Sequence, residues 1–248
     1  MPSNATATGH SSTFPGLLLQ HAAERPQAPA MREKEYGIWQ THSWSGMATL
    51  VEHLACGLHQ AGLRQGEHLI VVGANRPRLS ATLLAAQSLG AVPIPLYQDA
   101  AAAECVFPIT NAEVRFCVVE DQEQVDKMLE VRESCPGLAH IFYDDPRGLR
   151  NYQEDGLLAV DQLLESGRAF AASQPGFFQA EVGKLRQDDV AAMFFTSGTT
   201  GNPKGVVHTH RSLIDRARAG ADFDKLTSQE EVLAYLPPAW IGQNIFSY

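Results

Sequence analysis

The chain has 248 residues, of which 44 % are hydrophobic, and a formal net charge of −9. This length and apolar content allow a sizeable core in one or two domains, and the acidic balance argues against a surface that wraps nucleic acid. The start, residues 1–12, is small and polar and lacks the charged-then-apolar layout of a secretory signal. It reads as a flexible N-terminus ahead of a folded segment, 13–248. No apolar run reaches the ~20 residues that a membrane helix needs. Cys56, Cys105, Cys117 and Cys135 are scattered, with neither CxxC spacing nor histidines nearby to complete a metal set. They read as neutral thiols in a reducing cytoplasm, with no metal site.

Residues 14–24 have helical spacing (Leu17, Leu18, His21, Ala22) and stop before Pro26. Segments 28–32 and 38–41 read as two short strands, with Tyr36-Gly37 near the turn. Ser43 is a natural N-cap for a helix over 44–61, with Leu50, Leu54 and Leu58 as its apolar stripe and Gly62 as its stop. Strand and helix then alternate. Strands are predicted at 68–72, 91–96, 115–119 and 139–143, and helices at 78–89, within 100–110 and at 122–132. Pro93 and Pro95 suggest that their strand lies at a sheet edge. Residues 144–156 and 166–175 read as loose insertions. Beyond them come strands at 190–195 and 206–209, a helix over 211–219, a strand at 232–235 and the opening of a last helix. The alternation predicts an α/β fold with a mostly parallel sheet and helices on both faces.

Between the strands at 190–195 and 206–209 stands the string Thr196-Ser-Gly-Thr-Thr-Gly-Asn-Pro-Lys-Gly205. Glycines let backbone N–H groups turn toward an anion without a Cβ in the way. The hydroxyls of Thr196, Ser197, Thr199 and Thr200 add short donors, and Lys204 adds a mobile positive charge. Such a set suits phosphate, and a polyphosphate best. It is not a Walker loop, because Lys204 is followed by Gly205 and a β-branched strand rather than by Ser or Thr and a helix. The plainer alternative is an ordinary Gly/Ser/Thr turn between strands.

The order of these residues resembles the signature loop of the adenylate-forming superfamily: acyl-CoA synthetases, peptide-synthetase adenylation domains and luciferases. The resemblance implies that Thr196, Ser197, Gly198, Thr199, Thr200, Gly201 and Lys204 hold the phosphates of ATP while a carboxylate attacks the α-phosphate. Leu236-Pro-Pro-Ala-Trp240 resembles a second core motif of the family, in which many members carry histidine at the place of Trp240. A ring there would line an acyl site and shield it from water; the alternative is an ordinary core tryptophan. Tyr36–Trp44, Gly90–Tyr97 and Ala234–Trp240 are further similar to long-chain fatty acyl-CoA synthetases.

The fold implied is the N-terminal part of the large domain of such an enzyme, with ATP, Mg²⁺ and CoA as its reaction partners and a fatty acid or similar carboxylate as substrate. Members continue well past Tyr248 and carry their catalytic lysine there, so the expectation is a fragment that is inactive alone. Two alternatives stay open: a ligase for aryl or amino acids, and a nucleotide-binding module without catalysis. A fatty substrate would allow peripheral membrane association, and a sheet cut partway would allow a homo-oligomer. His208 and His210, two apart, could be a metal pair or a base but read better as packing and capping at a strand–helix junction. Asp188-Asp189 reads as a solvated turn rather than a Mg²⁺ site.

Overall fold

The computed structural model describes residues 12–196 and 203–246. The predicted flexible N-terminus, apart from Ser12, lies outside the described residues. Helix α1 (Phe14–Glu24) opens on Thr13, whose side chain accepts from the Gly16 N–H at 3.2 Å. Strands β1 (Pro29–Glu35) and β2 (Ile38–Ser43) pair as an antiparallel hairpin. Ser43 then caps α2 (Trp44–Ala61) by accepting from the Gly46 N–H at 3.1 Å. Gly62 ends that helix at φ 102°, a left-handed turn that costs glycine nothing.

The centre of the molecule alternates as predicted: β3 (His68–Val72), α3 (Pro77–Ser88), β4 (Val92–Leu96), α4 (Ala102–Asn111), β5 (Phe116–Val119), α5 (Gln122–Glu130) and β6 (His140–Tyr143). A short strand, β7 (Leu157–Ala159), adds to the far side of β6. The sheet order is β4-β3-β5-β6-β7, and every pairing is parallel. The chain steps from β3 to β4 on one side and then to β5 on the other, so the order reverses beside β3. The proline-bearing β4 does lie at the edge of this ladder, where its missing N–H groups do no harm.

Strands of a parallel sheet are covered on both faces, and their sequences are accordingly apolar throughout. Leu69, Val71, Phe116, Val118 and Phe142 point into a core shared with α1, α2 and α3. Their neighbours Ile70, Val72, Cys117, Val119 and Ile141 point the other way, onto α4 and α5. Each such aliphatic side chain taken fully out of water contributes roughly 1.5–3 kcal/mol. All four cysteines are buried and free. Burial pushes the Cys56 and Cys105 thiols up to about 11, which keeps them neutral. No helix among the described residues is long and apolar enough to cross a membrane.

Two expectations need correction. Residues 166–173 are not loose: they belong to α6 (Val160–Ser173), followed by α7 (Phe177–Lys184). Gly167, inside the stretch read as loose, is what lets α6 approach α2. A Cβ on Gly167 would stand 1.8 Å from the His53 carbonyl oxygen, and one on Gly57 would stand 2.3 Å from that of Leu163. Backbone on backbone leaves no side chain to swing aside. Gly167→Ala is therefore expected to cost about 2 kcal/mol despite alanine's better helix propensity, read as a lower urea midpoint at unchanged slope.

The second correction concerns residues 232–235, which form no strand. Val232, Leu233 and Tyr235 are 56 %, 80 % and 74 % exposed. β-Branched residues favour a strand only where a ladder partner is at hand, and none of the described strands pairs with this segment. The chain passes instead from α8 (His210–Asp224) through this irregular run to α9 (Ile241–Phe246).

Candidate functional site

The glycine- and hydroxyl-rich string joins two strands, β8 (Val190–Thr196) and β9 (Lys204–Thr209), that pair antiparallel. Thr196 stands opposite Lys204, and Phe195 opposite Gly205. The two outer candidate residues are thus brought together across the mouth of the turn, both exposed. The Thr196 hydroxyl lies 3.5 Å from the Lys204 carbonyl oxygen. Ser197, Gly198, Thr199, Thr200 and Gly201 lie outside the described residues. A strand follows the string, as its β-branched continuation predicts, and not the helix of a Walker loop.

The hairpin is anchored at several points. β8 runs beside β4, and the Gln87 side chain, buried at the end of α3, donates to the Ala191 carbonyl at 2.9 Å. Near the turn, the Phe195 ring meets Phe107 of α4 edge-on, with centroids 6.3 Å apart. Phe194 is buried and meets the His208 ring at 5.8 Å. At the base, Arg211 grips Asp188 with two hydrogen bonds of 2.7 and 2.9 Å. That fork holds the Asp188 carboxyl below its ordinary range. Asp189 caps the preceding turn by accepting from the Arg186 N–H at 2.7 Å. Asp188 is thus exposed in an ion pair and Asp189 closes the turn before β8, where the sequence reading put a solvated turn. Among the described residues no three His, Cys, Asp or Glu side chains stand close enough to hold a metal ion.

The histidines also part company. His208 lies on β9, while His210 opens α8 and is 1 % exposed. The His210 Nδ1 accepts from the Phe14 N–H at 3.3 Å, tying the first helix of the fold to the start of α8. Burial lowers its pKa to about 4, against a smaller upward pull from Asp189. A neutral ring that accepts a hydrogen bond in the core is a packing element. No signal in the linear sequence foretells this contact, because 196 residues separate the partners.

Open parallel sheets usually bind ligands beyond the carboxyl ends of their strands, where the strand order reverses. Here that place is a recess of about 380 Å³ lined by Asp99, Glu120, Asp121 and Glu123, with Ala74 and Gln98. Carboxylates in such number repel a polyphosphate.

Trp240 stands on a separate segment just before α9, and the residue is 53 % exposed. The backbone around it is folded back on itself. The Trp240 N–H donates to the Pro237 carbonyl at 2.9 Å, and the Asn244 side chain donates to the carbonyls of Pro238 and Trp240 at 2.8 and 3.2 Å.

Comparison with known proteins follows the same lines. A long-chain-fatty-acid–CoA ligase of Mycobacterium bovis, FadD15, is 24 % identical over 235 residues, covering 94 % of this chain and 37 % of the relative. The human long-chain-fatty-acid–CoA ligase ACSBG2 is 27 % identical over 239 residues, covering 94 % of this chain and 35 % of its own length. Among solved structures, the acetoacetyl-CoA synthetase from Streptomyces lividans shares the fold with a TM-score of 0.80 at 21 % identity, over 95 % of this chain and 36 % of that one. The chain thus spans little more than a third of the length of these relatives. The family model for AMP-binding enzymes matches residues 18–247. Because that match takes in the central sheet, the hairpin and the Trp240 segment alike, the chain belongs to the AMP-binding enzyme family.

Proposed function

We propose that this chain is the phosphate-binding part of an ATP-dependent long-chain fatty acid–CoA ligase. The reaction joins a carboxylate to the α-phosphorus of ATP with loss of pyrophosphate, then passes the acyl group from AMP to the thiol of CoA. The observation that carries the reading is the Thr196–Gly205 string closing the β8–β9 hairpin in a chain of this family. The names of its curated relatives supply the substrate class.

In this reading Thr196, Ser197, Thr199 and Thr200 donate hydroxyls, and Gly198 and Gly201 expose backbone N–H groups to the phosphates. Lys204, across from Thr196, offsets the charge that grows on the departing pyrophosphate. Mg²⁺ arrives with ATP and neutralises phosphate oxygens; no residue of this chain is assigned to it. Trp240 forms one wall of the acyl site and keeps water from the reactive acyl phosphate. A fatty substrate would draw the enzyme to a bilayer surface.

The test is carboxylate-dependent ATP–pyrophosphate exchange, run on residues 1–248 and on the complete protein. Exchange with C12–C18 fatty acids in the complete protein only is the expected result. Strict preference for an aryl or amino acid would overturn the fatty-acyl assignment. Silence of the complete protein toward every acid, with ATP still bound, would favour a nucleotide-binding module.

A further inference from the structure

The loop that leaves β3, Gly73-Ala-Asn-Arg76, is braced on one side and grips on the other. The brace is Glu120, the first residue after β5. One of its carboxylate oxygens accepts from the Ala74 N–H at 2.7 Å, and the other accepts from Arg76 Nε at 2.7 Å. Gly73 sits hard against it: a Cβ there would fall 2.6 Å from the Glu120 Cβ and 2.5 Å from Leu79 Cδ1. These contacts hold the loop to the end of β5, where the strand order of the sheet reverses.

From this fixed loop the Asn75 amide reaches 159 and 161 residues along the chain. Its Nδ2 donates to the Ala234 carbonyl at 3.0 Å and to the Leu236 carbonyl at 2.6 Å. Both N–H groups of one amide are thus spent on the segment that lacks a strand ladder. That segment needs such a clamp. Residues 227–240 form no regular element, and Pro237 and Pro238 have no N–H to donate. An ion pair between Arg32 and Glu231 lies just upstream, and Asn244 holds Pro238 and Trp240 from the downstream side.

We propose that Asn75 is a positioning residue for the acid substrate: it fixes the Ala234–Trp240 segment, and with it the Trp240 ring, against the carboxyl end of the sheet. The proposal rests on the reading of Trp240 as a wall of the acyl site. The amide is required chemically. Aspartate has the same shape but would turn an oxygen toward two carbonyl oxygens, and alanine would leave both carbonyls to water.

The experiment uses the complete protein grown with 5-fluorotryptophan, with the Trp240 resonance assigned by Trp240→Phe. In Asn75→Ala and Asn75→Asp the Trp240 fluorine signal should shift or broaden while those of Trp39 and Trp44 stay. In the exchange assay the KM for the fatty acid should rise about tenfold while the KM for ATP stays within about twofold. Asn75→Asp should be at least as impaired as Asn75→Ala, although it is isosteric. Asn75→Ser keeps one donor, should fall between them and wild type, and carries the same two readouts if the aspartate variant does not fold. An unmoved Trp240 signal, or an unchanged KM for the acid, overturns the proposal. A wild-type protein silent toward every acid overturns the ligase reading instead, and the fluorine signal then still decides whether Asn75 positions Trp240.

Discussion

Lys204→Ala is expected to weaken ATP binding by the complete protein about 10- to 100-fold, the size of one lost charge-assisted contact to phosphate. The side chain is exposed at the first position of β9 and faces Thr196 across the hairpin mouth. Removing it takes nothing from either core, so the melting temperature should hold. That separation makes the result interpretable: weaker binding at constant stability is a loss of ligand contact. Equilibrium dialysis with labelled ATP measures it directly. Lys204→Arg keeps the charge but presents a planar fork in place of a compact ammonium, so it should recover part of the affinity. An unchanged dissociation constant in Lys204→Ala would remove the hairpin turn from the phosphate site.

The second large effect is on stability and depends on pH. His210 is buried and neutral, with a folded-state pKa of about 4 against 6.5 for the free side chain. Between these values the unfolded chain binds a proton that the folded chain refuses. Stability from this group is therefore whole above about pH 6.5 and drains away as pH falls toward 4. At ~1.4 kcal/mol per pH unit the full penalty is roughly 3–4 kcal/mol. His208 is also lowered by burial and acts in the same direction, so wild type alone does not isolate the effect. Comparison with His210→Gln does. Glutamine keeps an acceptor for the Phe14 N–H and does not titrate. Urea midpoints measured from pH 7.5 to 4.5 should fall less steeply in the variant. Equal slopes would show that His210 is not the group responsible.

The sequence was most legible where the signals are local. The span of α2 follows from Ser43 and Gly62, which act on the backbone within a few residues, and the structure ends the helix where they stand. The alternating apolar runs from His68 to Tyr143 imply a parallel sheet because only a strand covered on both faces has no polar side. The same logic failed at residues 166–173 and 232–235. Residues 166–173 read as loose until the carbonyl of His53 is placed 1.8 Å from the missing Cβ of Gly167. Val232 to Tyr235 reads as a strand, yet none of the described strands pairs with it.

The candidate site divides in the same way. The string proposed to bind phosphate stands in ten consecutive residues, because an anion cradle is built from backbone freedom and short donors close together in the chain. What holds the site is not local. The Gln87 contact to Ala191, the Phe14 contact to His210 and the Asn75 clamp on Ala234 and Leu236 join residues 104 to 196 positions apart. One amide or one imidazole carries no mark of its partner in the linear chain. Short-range chemistry thus named the turn and its strands, whereas the rigidity of the site came from long-range hydrogen bonds that exist only once the sheet has brought their partners within reach.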